Sequence, residues 1–81
     1  ATPKAYRTGY QFFQRGKFKE AIGHFRKCVR LAPSFGKCYK ALGICYAKQG
    51  DYDSARRYYR LYLKISPNAK DAAQVRKILG Q

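Results

Sequence analysis

The chain has 81 residues, enough for one domain with a single modest core. Its 46% hydrophobic content excludes a disordered composition, and no run approaches the roughly 18 apolar residues of a membrane-spanning helix. Eighteen Lys and Arg against Glu20, Asp51, Asp53 and Asp71 leave a formal charge of +14, which favours and steers an anionic partner without bearing on the fold.

In chain order, the first stretch (ATPKAYRTGYQFF) has no apolar core of the kind a signal peptide requires. The chain starts without Met and ends just after a helical pattern, so it is expected to be a segment of a larger protein. Aromatic and small residues at helical spacing predict a first helix over about 4–15, broken at Arg15-Gly16-Lys17. Phe18, Ala21, Ile22, Phe25, Cys28, Val29 and Leu31 recur at three- and four-residue steps and predict an amphipathic helix over about 18–31. Ala32-Pro33-Ser34 stops it, with Ser34 placed to cap the next helix. A third helix over about 35–49 follows, then a turn at Gln49-Gly50-Asp51 and a fourth helix over about 52–65. Ser66-Pro67-Asn68 is the next stop, and Ala72, Ala73, Val75, Ile78 and Leu79 mark a last amphipathic helix that ends at Gly80.

Shifting the chain by 34 residues superimposes its punctuation. Gly9 falls on Gly43, Phe12 on Tyr46, Gly16 on Gly50, Phe18 on Tyr52, Ala21 on Ala55, Phe25 on Tyr59, Leu31 on Ile65 and Pro33 on Pro67. Small residues stay small and aromatics stay aromatic, so the chain is two copies of one helix–turn–helix unit. Gly9 and Gly43, with Ala21 and Ala55, remove bulk where paired helices approach closely. Phe12, Phe25, Tyr46 and Tyr59 are the aromatics expected to fill the spaces between those contacts.

Chemistry is hard to find in the chain. Asp51 and Asp53 sit at a turn, where helix capping accounts for them. His24 precedes Cys28 by four residues, but Cys28 stands where the repeat wants a small packing residue. Cys28, Cys38 and Cys45 are neither an even set nor a CxxC pair, and Cys38 and Cys45 share one helix face. They are expected to be reduced core thiols, which points to a reducing compartment. The glycines form no phosphate-binding pattern. No cofactor, no metal site and no enzymatic activity are expected.

The second copy, with Tyr39, Leu42-Gly43, Tyr46, Gly50, Ala55, Tyr59 and Pro67 at their spacings, closely resembles a tetratricopeptide repeat. The first copy conforms at Gly9, Phe12, Gly16, Ala21, Phe25 and Pro33, while Ala5 and Thr8 replace a bulky residue and a Leu. The resemblance implies an all-α, right-handed superhelical stack. Repeat 1 is expected over about 2–35, repeat 2 over about 36–69, and a capping helix over about 70–79.

In that family the first helix of each hairpin lines a concave groove that holds a peptide or partner helix. Carried onto this chain, the groove positions are Tyr6, Arg7, Tyr10, Phe13 and Gln14, then Lys37, Lys40, Ile44 and Lys48, and finally Gln74 and Ile78. Such a groove is aromatic at one end and basic at the other, which suits an acidic ligand with an apolar anchor. A subset of the family grips a C-terminal carboxylate through a clamp of Lys, Asn and Arg. The corresponding positions here are Tyr6, Tyr10, Ala41, Asp71 and Val75, and none carries the clamp residue.

The second helices place Arg26, Lys27, Arg30, Arg56, Arg57, Arg60 and Lys64 mostly off the apolar stripe, as a convex ridge suited to a phosphate backbone. The leading expectation is a scaffold or adaptor segment of a larger cytoplasmic protein of bacterial type, with an acidic protein or peptide partner. The alternatives are a nucleic-acid-associated module using the ridge, and self-association through an open aromatic edge at Tyr6, Tyr10 and Phe13.

Overall fold

Apolar residues at helical spacing give each segment one stripe to bury, and the two hairpins bury those stripes against each other. The computed structural model describes residues 2–80. Among the described residues there are five helices and no strand: α1 (Lys4–Gln14), α2 (Phe18–Leu31), α3 (Gly36–Lys48), α4 (Tyr52–Ile65) and α5 (Ala72–Ile78). The tightest packing is of α1 on α2 and of α3 on α4. The α2–α3 contact joins the hairpins, and α5 rests more lightly on α4.

The same backbone device turns both hairpins. After α1, the Gly16 N–H donates to the Phe13 carbonyl and the Lys17 N–H to the Phe12 carbonyl, both at 3.0 Å. After α3, Gly50 N–H donates to Ala47 at 3.0 Å and Asp51 N–H to Tyr46 at 2.9 Å. This pattern needs a left-handed residue, and the glycines supply it with φ of 74° and 82°. The next helices start differently. Asp51 caps α4 by accepting from the Ser54 N–H at 3.2 Å, whereas no side chain caps α2 at Lys17. The expected Ser34 cap does not form. The linker closes a turn from Ala32 to Phe35, so Phe35 takes the N-cap position and Ser34 falls one residue short of it.

Two glycines fix how closely the hairpin helices approach. A Cβ added at Gly9 would lie 2.8 Å from the Phe25 ring, and one at Gly43 would lie 2.8 Å from the Tyr59 ring. Each ring therefore lies directly on the backbone of the helix opposite. Phe25 is fully buried together with Ala21, Cys28, Cys38, Leu42 and Cys45, while Ala55, Tyr59, Tyr62 and Val75 form a second cluster. From α5, Ala72 and Val75 are buried and Leu79 is half-buried. Ile78, expected on the apolar face, is 56% exposed because the seven-residue helix turns it outward.

The cysteines are not the three reduced core thiols expected. Cys28 and Cys38 form a disulfide from the end of α2 to the start of α3, and Cys45 is the free thiol, buried. The tight turn at Pro33 brings the two Cα atoms to 6.3 Å across ten residues, a proximity that an odd cysteine count concealed. The bond staples one hairpin to the next. Disulfides persist in oxidising surroundings, so cysteine usage no longer points to a reducing compartment.

Gly43→Ala should lower stability by roughly 1–2 kcal/mol in urea unfolding, because overpacking against Tyr59 outweighs the gain in helix propensity. Gly23→Ala, mid-helix with nothing within 4 Å of the added carbon, should instead stabilise by up to about 1 kcal/mol. Equal effects at the two sites would contradict the ring-on-backbone contact. Thiol titration of the denatured chain should find one reactive cysteine without reductant and three with it. Breaking a ten-residue link of this kind should cost about 2–3 kcal/mol.

Candidate functional site

Helix α1 carries Tyr6, Tyr10 and Phe13 at three- and four-residue steps, which stacks them on one face. Tyr6 and Tyr10 have ring centroids 6.0 Å apart, and Tyr10 and Phe13 are 5.9 Å apart. The row is locked from behind: Tyr6 meets Phe35 edge-on at 5.4 Å and Phe25 at 5.8 Å, while Phe13 meets Phe18 at 5.5 Å. This row forms one wall of a cavity of about 570 Å³. Lys37, Lys40, Ala41 and Ile44 of α3 form another wall. Phe25, Tyr62 and the Ala69-Lys70-Asp71 turn complete it.

Six of the groove residues expected from the sequence line this cavity: Tyr6, Tyr10, Phe13, Lys37, Lys40 and Ile44. Arg7, Gln14, Lys48, Gln74 and Ile78 are exposed and do not line it. The aromatics at Tyr6, Tyr10 and Phe13, expected as an open edge, line this cavity, with Tyr10 43% exposed. A hollow of about 410 Å³ is bordered by Pro3, Ala5, Thr8, His24 and Leu31. His24 stacks flat on Phe12 at 5.2 Å, and the sulfur of Cys28 is bonded to Cys38, so the two make no nucleophile pair.

Sequence reasoning missed the polar centre of the cavity. Asp71 accepts from the Lys40 ammonium on one carboxylate oxygen, and on the other from the Tyr62 hydroxyl at 2.5 Å. Asp71 starts α5 but spends its side chain on these contacts, with no helix-capping bond. Lys40, and then Tyr62, hold the Asp71 carboxyl below the usual carboxylate range, with burial opposing them. Burial, and then the bond to Asp71, push the Tyr62 phenol up to about 12. Burial is also the largest influence on Tyr6, raising it, while the Lys40 charge pulls it down. Lys40 therefore stands between the aromatic wall and Asp71. The 34-residue repeat did hold the signal, because shifting Lys37 along it lands on Asp71.

The ridge residues Arg26, Lys27, Arg30, Arg56, Arg57, Arg60 and Lys64 are all exposed on α2 and α4. Arg56 pairs with Asp53 one turn earlier, and Lys27 borders the hollow beside His24.

An acidic pKa should be readable for Asp71 from its carboxyl carbon shift in a pH titration. Because the folded value is depressed, the pairing stabilises fully above the unfolded value near 3.9 and is lost as pH falls through the folded one. Lys40→Met should raise the midpoint. A wild-type midpoint at or above about 3.9 would contradict the pairing.

Residues 2–80 match the family model described as Regulator of microtubule dynamics protein 1-3. The chain is 33% identical over 58 residues to Heat shock protein STI1 of Saccharomyces cerevisiae, covering 72% of this chain and 10% of that one. It is 31% identical over 72 residues to Photosystem I assembly protein Ycf3 of Acaryochloris marina, covering 85% and 43%. A TPR repeat-containing protein of Methanocaldococcus jannaschii is 30% identical over 74 residues, covering 91% and 13%. The chain thus spans less than half the length of each of these relatives.

Proposed function

This chain belongs to the tetratricopeptide-repeat proteins, in the family described as Regulator of microtubule dynamics protein 1-3, and we propose that it binds an acidic, partly apolar peptide or partner domain in its groove. Its tetratricopeptide relatives support a protein-interaction module in general terms. The finer reading rests on one observation: a single cavity joins the Tyr6–Tyr10–Phe13 wall to Lys37, Lys40 and Lys70. Rigid stacked aromatics offer apolar contact at little cost in side-chain entropy, and lysines at the same site draw in a carboxylate. The +14 charge then acts as a steering field that speeds encounter. The role is that of a non-enzymatic scaffold or adaptor within a longer protein. The cytoplasmic location expected from reduced thiols is not carried into this proposal, because the Cys28–Cys38 bond suits oxidising surroundings.

A second reading is favoured by the seven exposed ridge cations, of which only Arg56 has an ion-pair partner among the described residues. A phosphate backbone would suit them, and its binding would fall steeply with salt. The family description concerns microtubule dynamics, so polymerised tubulin joins the assay as a further probe.

Salt-titrated binding to an acidic peptide library, a single-stranded oligonucleotide and polymerised tubulin separates these readings. Groove binding predicts selective peptide capture at about 150 mM salt. Joint charge reversal at Lys37 and Lys40 should then cost more than about tenfold in affinity, with Arg56→Glu and Arg60→Glu near neutral. The reverse dependence, with a steep salt slope, would move function to the ridge.

A further inference from the structure

We infer that Asp71 is an internal competitor for acidic ligands: its carboxylate occupies Lys40, and so sets the affinity and selectivity of the groove. The inference rests on the groove-binding reading above and adds to it the regulation of that site. Three lysines line the cavity, and they are not equivalent. Lys37 and Lys70 are exposed and have no ion-pair partner among the described residues, whereas Lys40 is half-buried and bonded to Asp71. Lys40 is also the lysine whose charge reaches Tyr6. A ligand that seats an apolar group on the aromatic wall and an acid beside it therefore meets Lys40, the one of these three lysines already paired.

The bond to Tyr62 gives the competitor a fixed position. Tyr62 is buried, with 6% of its surface exposed, and its hydroxyl holds the second Asp71 oxygen at 2.5 Å. A carboxylate arriving at Lys40 must displace a group held by two donors and must also face its negative charge. The pair is itself only partly buried, with 39% of the Lys40 side chain and 25% of that of Asp71 exposed. Displacement is therefore within reach of a ligand that gains contacts elsewhere. One repeat earlier, the equivalent positions are Tyr6 and Lys37, and they make no such ion pair. The competitor is particular to the place where the capping segment meets the second hairpin.

Selectivity follows from this arrangement. A ligand with one carboxylate meets Lys40 at a disadvantage. A ligand with several can engage Lys37 and Lys70 first and then exchange with Asp71. The groove is thereby tuned to acidic segments over isolated carboxylates, which agrees with the absence of clamp residues.

The test is a double-mutant cycle read by fluorescence anisotropy, using the capped, labelled peptide Glu-Glu-Leu-Phe-Glu and its Gln-for-Glu counterpart. Asp71→Asn keeps the shape of the side chain and one acceptor oxygen for the Tyr62 hydroxyl while removing the charge and the acceptor that faces Lys40, and circular dichroism checks that it folds. It should bind the acidic peptide about five- to tenfold more tightly than wild type, with little change for the Gln peptide. Lys40→Met should cost less than about twofold in the wild-type background and about fivefold with Asn at position 71. Lys37→Met should cost the same in both backgrounds. Binding by wild type with no gain in Asp71→Asn, or equal Lys40→Met effects in both backgrounds, overturns the inference and leaves the groove reading standing. No binding of the acidic peptide by either protein overturns both. Binding by Asp71→Asn alone supports the inference in its strongest form.

Discussion

The fold depends on an aromatic ring lying against a helix backbone, made twice. Phe25 sits on Gly9 and Tyr59 sits on Gly43, at distances that leave no room for a side chain on the opposing helix. Each contact sets the spacing within a hairpin. Each hairpin presents its second helix to the element that follows, closely from α2 to α3 and more lightly from α4 to α5. The Gly16 and Gly50 turns then hold each helix pair in register. Phe25 also closes the back of the groove and touches Tyr6, so the contact that builds the first hairpin positions the wall of the candidate site.

Charge is distributed on different terms. Every Lys and Arg among the described residues except Lys40 is exposed, and only Lys40 and Arg56 are paired. A chain of +14 with so few ion pairs gains little stability from electrostatics and bears the cost of self-repulsion. Its stability comes from apolar burial and from the Cys28–Cys38 staple between the hairpins. Two hairpins and a seven-residue cap offer a small core, and the cross-link between the hairpins restrains the unfolded chain.

The groove sets one of the four acids of the chain among three of its lysines. Asp71 joins the capping segment to α3 through Lys40 and to α4 through Tyr62, so the end of the stack is fastened by polar contacts as well as by Val75 and Ala72. The residues that finish the fold at this end are the same ones that shape the groove.

The sequence by itself determined the periodic features. Helix positions, both glycine turns and the 34-residue repeat follow from local spacing, whereas the seating of the Phe25 and Tyr59 rings directly on Gly9 and Gly43 is a contact between helices that the structure supplied. Lys37, Lys40, Tyr6 and Tyr10 were legible as groove residues because repeat position fixes which way a helical side chain points. Arg7 and Gln14 fell outside the lining because one helical step turns a side chain about 100° away from Tyr6 and Phe13, and Lys48, one turn beyond Ile44, is exposed at the end of α3. Tertiary structure alone decided what crosses between elements without a period. It brought Cys28 to Cys38 around the Pro33 turn, and it aimed Asp71 at Lys40, thirty-one residues away, instead of at its own helix. A side chain with two partners within reach takes the one that relieves the larger buried or unpaired charge. That choice is set by distances in three dimensions, which spacing along the chain does not encode.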